Sequence, residues 1–132
     1  MSWKLIIDFG LVILIWMTQL VVYPSFTYFS ENDLITWHSR YTTAISIIVM
    51  PLMLAQVGLH GWGLATAFSW FRLVIFLLIV LAWINTFFFA VSLHNQIAAK
   101  QYVLEAATGL VKVNWYRTVL WSLVFLLGLV KN

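Results

Sequence analysis

The chain contains no cysteine. Disulfides, thiolate metal sites and a cysteine nucleophile are thereby excluded, and cysteine usage says nothing about redox compartment. Charge is scarce. Asp, Glu, Lys and Arg make up 8% of the 132 residues, where a soluble domain carries roughly 25%. Proline occurs only twice, as Pro24 and Pro51. There is no Lys/Arg run and no nucleic-acid-binding motif, so the net charge of +3 implies no nucleic-acid partner. Gly-x-Ser-x-Gly, His-Glu-x-x-His and a phosphate loop are also missing, which leaves no hydrolase or nucleotide-binding signature.

What is present is apolar. Hydrophobic residues make up 64% of the chain. A soluble domain of this length cannot hide that much apolar surface, whereas a bilayer accepts it. The expected fold is all-α: a single-domain, integral membrane four-helix bundle over residues 1–132. Its predicted spans cover about 3–22, 34–57, 65–93 and 114–130, the last with an earlier start near 98 because a 3/4 spacing continues upstream. Pro24 is expected to end the first span, Asn32 or Asp33 to cap the second, and Gly58 to Gly63 to form a turn. Lys4 ahead of an apolar stretch resembles a signal peptide, but Asp8 lies within the stretch and no small-x-small site follows. It therefore reads as a retained helix. Trp3, Trp37, Trp62, Trp70 and Trp115 fall near span ends, as an aromatic belt does; Trp16, Trp83 and Trp121 lie deeper.

Four spans bring both termini to one face. Lys4, Arg72 and Lys131 lie there; Arg40, Lys100, Lys112 and Arg117 lie at the other. With Arg40 and Arg117 assigned to the bundle the counts are nearly even, so the positive-inside rule does not orient the chain. The expectation adopted is a bacterial inner membrane with cytoplasmic termini.

The polar residues are not spread evenly. Gln19 and Tyr23 end span one. His38, Arg40 and Tyr41 begin span two, His94 and Asn95 end span three, and Asn114, Arg117 and Thr118 begin span four. All fall at the face away from the termini. Gln19/Tyr23, His38/Tyr41/Thr42, Trp83/Phe87/Ala90/His94 and Asn114/Arg117/Thr118/Trp121 each share a helix face. Turned inward, these faces make a polar, aromatic-lined pocket. A buried arginine is costly in a bilayer, about 2.5–3.5 kcal/mol on insertion scales, and needs a partner or a function. Asp33, Glu31 and the Asn114 carbonyl region are the candidate partners of Arg117; the other reading has Arg117 and Arg40 snorkelling to headgroups. His38 and His94 are candidate ligands for a haem, copper or iron, or a catalytic acid–base pair; the other reading is interfacial histidines bonded to loop carbonyls. His60 lies on the opposite face. Asp8, near the start of span one, reads as a partner of the helix N-terminal dipole.

Tyr23-Pro24, His38-x-x-Tyr41, Pro51, His94-Asn95 and Asn114-Trp115-x-Arg117-Thr118 resemble elements of a group of small bacterial four-helix membrane proteins of unknown function. That group is distantly similar to the anthrone oxygenase-like membrane family. The resemblance implies a four-helix bundle and oxidation of an aromatic or quinone-like lipophilic substrate, with His38, His94, Asn114 and Arg117 at the matching positions.

Two functions are therefore expected. The first is a membrane oxidoreductase-like or cofactor-binding protein. In it His38, His94 and Arg117 are catalytic, Asn114, Tyr23, Tyr41, Gln19 and Trp121 bind substrate, and His38 and His94 hold any metal. The second is a non-enzymatic accessory subunit of a larger membrane complex or homo-oligomer, whose polar cluster only ties helix ends together. A channel is disfavoured because polar groups do not run the whole length of the bundle.

Overall fold

The computed structural model describes residues 2–131. Four antiparallel helices make up the fold: α1 (Trp3–Tyr28), α2 (Glu31–Thr66), α3 (Trp70–Ala98) and α4 (Val103–Val130), each long and apolar enough to cross a membrane. They form a ring in which α1 packs on α2 and α4, and α3 on the same two neighbours. The outer surface is apolar, with Ile13, Leu20, Ile47, Leu77 and Leu126 among its exposed side chains. That is the surface lipid requires.

Several boundaries differ from the sequence expectation, each for a local reason. Pro24 does not end α1. It sits in the first turn after a π-helical segment, Thr18–Val22, where its missing N–H costs little. Ser30 caps α2, its hydroxyl accepting from the Asp33 N–H at 3.2 Å, in place of Asn32 or Asp33. α2 continues through Pro51 and through the glycines at 58, 61 and 63, none of which has a positive φ. The expected Gly-rich turn is helix because Leu59, Trp62 and Leu64 keep the segment apolar. The chain turns instead at Ala67–Ser69. α3 starts at Trp70, capped by Ser69, and runs past the expected end to Ala98. The link to α4 turns through left-handed Lys100 and Tyr102 (φ 58° and 47°), so α4 starts at Val103, between the two expected starts.

The core is layered along the bundle axis. Tyr23, Phe26, Leu34, Ala90, Ile97 and Leu110 fill the end away from the termini. Leu11, Ile15, Met53, Ala82 and Trp121 fill the middle. Ile75, Ile79 and Val124 complete the terminal end. Leu11 is fully buried among the helices. In a bilayer such a residue contributes by packing, because lipid tails are as apolar as leucine. Leu11→Ala is expected to cost about 2–5 kcal/mol. At the adjacent Gly10, an added Cβ would meet nothing within 4 Å, so Gly10→Ala is expected to gain about 0.5–1 kcal/mol of helix stability. Titration of the unfolding transition in a mixed-detergent series measures both.

Candidate functional site

The polar ends predicted to converge do converge. Arg117 projects from α4 into the bundle and is only 6% exposed. Its Nη2 donates to Asn114 Oδ1 at 2.7 Å and to the Tyr23 hydroxyl at 3.3 Å; its Nη1 donates to Thr86 Oγ1 at 3.3 Å. Every one of these partners is neutral. Glu31 and Asp33, the expected counter-charges, stand exposed at the start of α2. Among the described residues no carboxylate pairs with Arg117, and its Nε, although buried, has no acceptor. Nor does Arg117 snorkel. Arg40 does point outward and is exposed on α2.

Behind the guanidinium lies a second tier. The Gln19 side-chain oxygen accepts from Asn114 Nδ2 and Thr118 Oγ1, both at 3.0 Å, and Gln19 Nε2 donates to the Val111 carbonyl at 3.1 Å. Asn114 and Thr118 are completely buried and Gln19 nearly so. Unsatisfied polar atoms at such positions are costly, so this network fixes α1 against α4 and holds Asn114 where it orients Arg117.

On the other side of Tyr23 the chain continues into two imidazoles. The Tyr23 hydroxyl is 3.0 Å from His94 Nε2, and His94 Nδ1 is 2.8 Å from His38 Nε2. The imidazole rings stack with centroids 5.1 Å apart. Phe26 packs edge to face on His38 and on Tyr41, and the Tyr41 ring lies tilted 6.2 Å from His94. Arginine only donates, so the Tyr23 oxygen accepts from Arg117 and its proton is free to go to His94 Nε2. His94 then donates from Nδ1 to His38. The opposite polarity runs from His38 through His94 to the Tyr23 oxygen. Exchanging the two moves one proton along the line His38–His94–Tyr23.

The same contact bears on the metal expectation. Two imidazoles on opposite faces of a haem stand about 4 Å apart, nitrogen to nitrogen, at metal–nitrogen bonds near 2 Å. A haem therefore does not fit between His38 and His94 as placed. Among the described residues no third His, Cys, Asp or Glu joins His38 and His94. The two side chains are hydrogen-bonded to each other.

These groups open onto a cleft of about 330 Å³ between α2 and α3. His38, Tyr41, His94, Arg117 and Trp121 line its floor, and Ile45, Val49, Phe87 and Val91 its apolar walls. Ser46 and Phe87 at its margin are exposed, so the cleft faces lipid sideways. The buried indole Nε1 of Trp121, like Arg117 Nε, has no acceptor among the described residues.

All eight sequence-predicted site residues thus belong to one neighbourhood: His38, Tyr41, His94, Tyr23, Arg117 and Trp121 on the cleft, with Asn114 and Gln19 behind. Sequence spacing missed Thr86. A π-helical segment at Asn85–Ala90 adds a residue to the turn. Thr86 meets Arg117 there, while Phe87 packs on Trp83 at 5.3 Å and lines the cleft with Ala90 and His94, as its spacing predicts. The polar Asn85-Thr86 pair within an apolar helix was the available signal, since π-segments recur at functional sites. Trp16, at the middle of its span, faces outward at 39% exposure, its Nε1 donating to Ser122 Oγ at 3.0 Å.

A second polar group sits at the other end of the bundle. Asp8 is buried rather than capping a helix. Its Oδ1 accepts from Gln56 Nε2 at 2.8 Å, and His60 Nε2 lies 2.9 Å from Oδ2. Asp8 is one turn too far into α1 to meet the orphan N–H groups, and α2 reaches it only because the helix extends past Gly58.

No family model, curated protein or solved structure matches the chain.

Proposed function

We propose that the chain is a membrane oxidoreductase-like or cofactor-binding protein whose lateral cleft takes a lipophilic, aromatic or quinone-like molecule. The observation that carries this reading is the unpaired guanidinium. Arg117 is buried and charged, its partners are all neutral, and its Nε and the nearby Trp121 Nε1 lack acceptors on the wall of a cleft open to lipid. A ligand oxygen, as a carbonyl or an oxyanion, satisfies both donors. The apolar walls suit a ring or chain arriving from the bilayer. Arg117 and Asn114 bind and polarise that oxygen. The His38–His94–Tyr23 line supplies or removes a proton beside it, as reduction or oxidation of a quinone-like ring requires. This keeps the activity class implied by the resemblance to the anthrone oxygenase-like family.

The test uses the full chain in nanodiscs, titrated with a short-chain benzoquinone and followed by quenching of tryptophan fluorescence. A saturable signal near one quinone per chain supports the reading. A linear, partition-only signal sinks it. His94→Gln is expected to keep the saturable binding and to slow reduction of the bound quinone to the quinol by added dithionite, which supplies the two electrons, by about 10²-fold or more. Elemental mass spectrometry on the same sample addresses the metal: stoichiometric iron or copper that disappears in His38→Ala makes the histidines ligands as well.

A further inference from the structure

The end of the bundle that carries both termini has its own cavity, of about 470 Å³, independent of the cleft. Three cations from three helices line it: Lys4 at the start of α1, Arg72 at the start of α3 and Lys131 just after α4. They are three of the seven Lys and Arg residues in the chain. The one acid on the wall is Asp8, and Asp8 is already engaged. Gln56 and His60 hold its two oxygens, and Asp8–His60 is the only contact within 4 Å between a basic side chain and a carboxylate among the described residues. None of the three cations therefore has a carboxylate within ion-pair distance among those residues.

Each cation is instead placed by neutral neighbours. Arg72 Nη1 donates to the carbonyls of Gly63, at 3.0 Å, and Ala67, which ties the α2–α3 turn to the cavity. Lys131 Nζ lies 4.6 Å from the centroid of the Phe71 ring. Lys4 Nζ reaches under Gly63, where a Cβ would stand 3.2 Å from it; the glycine leaves room for the ammonium. Three cations against one carboxylate make a positive wall. Phe68, Phe71 and Ile75 line the same cavity, so its floor is apolar. Helix ends of this bundle lie at the level of lipid headgroups, where unpaired Lys and Arg attract anionic phosphates.

We infer that this cavity binds one phosphate group, with Lys4, Arg72 and Lys131 supplying the charge. The phosphate comes from an anionic phospholipid, whose acyl chains follow Phe71 and Ile75, or from free phosphate in the adjoining water. His60 and Asp8 line its back wall, where Gln56 and His60 occupy the carboxylate.

The experiment uses the full chain in nanodiscs of phosphatidylcholine, with and without phosphatidylglycerol, followed by native mass spectrometry for retained lipid. A parallel arm titrates inorganic phosphate into the phosphatidylcholine sample and follows protein-bound phosphorus by NMR. The test variant is Lys4→Gln with Lys131→Gln, which spares the structural bonds of Arg72. One phosphatidylglycerol per chain, with retention falling about 30-fold in the double variant, assigns the site to lipid. Saturable phosphate binding lost in the same variant assigns it to the free anion. Retention of phosphatidylglycerol no greater than of phosphatidylcholine, together with no saturable phosphate signal, overturns the inference. So does equal binding by the double variant, with its melting temperature as the check that it is folded.

Discussion

Arg117→Met is expected to remove ligand binding in the cleft while leaving the bundle folded. The two halves of that outcome have separate causes. A buried guanidinium with only neutral partners is a burden on the folded state, and an apolar side chain of similar volume at such a site is often neutral or stabilising. Methionine fills the space and asks for no acceptor. Tyr23, Thr86 and Asn114 each lose one donor but keep other bonds: Tyr23 to His94, Thr86 to the Ala82 carbonyl, Asn114 to Gln19. A ligand oxygen, by contrast, loses the one positive charge in the cleft. Removing one partner from a buried, hydrogen-bonded charge contact costs on the order of 2–5 kcal/mol, so affinity for a quinone-like probe should fall by about 30-fold or more. The fluorescence titration measures it. Unchanged affinity in a folded Arg117→Met protein means that the cleft does not use its cation, and the polar cluster is then a clamp between helices, as an accessory subunit requires.

Asn114→Ala should have a large effect on stability. Asn114 is the fully buried junction between the two tiers. Its Oδ1 takes the shortest bond from Arg117, 2.7 Å, and its Nδ2 donates to Gln19 Oε1 at 3.0 Å. Alanine takes the shortest acceptor from a charged donor, frees Gln19 Oε1 of one bond, and leaves space behind it that lipid does not reach. Leaving a buried donor unsatisfied costs about 1–3 kcal/mol, and more when it is charged. We expect a loss of about 3 kcal/mol, read from the detergent-unfolding midpoint. A double-mutant cycle with Gln19→Ala should show coupling of about 0.5–3 kcal/mol, because the two side chains belong to one network. Strict additivity would mean that Gln19 and Asn114 act separately.

Arg117→Met and Asn114→Ala together separate architecture from ligand. The first variant should lose binding and keep the fold. The second should weaken the fold, and the cleft with it.

The membrane location and the helix count follow from the sequence alone. Apolar runs of spanning length leave no other way to satisfy their backbone groups in lipid than four helices. Antiparallel connectivity then places Gln19, Tyr23, His38, Tyr41, His94, Asn114 and Arg117 at one depth, because depth depends only on distance along each span. Rotation about a helix axis is another matter. It depends on whether every turn holds 3.6 residues, and two π-segments break that rule. At the Asn85–Ala90 segment Thr86 meets Arg117, a contact that no 3/4 spacing shows.

Pairing between helices is likewise a property of the packed bundle. A nearby carboxylate was the natural expectation for Arg117, yet Glu31 and Asp33 sit at the exposed start of α2 while Tyr23, Thr86 and Asn114 surround the guanidinium. Asp8 and His60, 52 residues apart, meet because α2 does not turn at its glycines. Glycine permits a turn without requiring one, and in an apolar segment helix continues, since an ended helix would leave carbonyls bare in lipid. Hydropathy and distance along the chain decided what lies in the membrane and at which level. Only the packed helices decided which polar atoms touch, because those contacts rest on helix rotation and on where each turn falls.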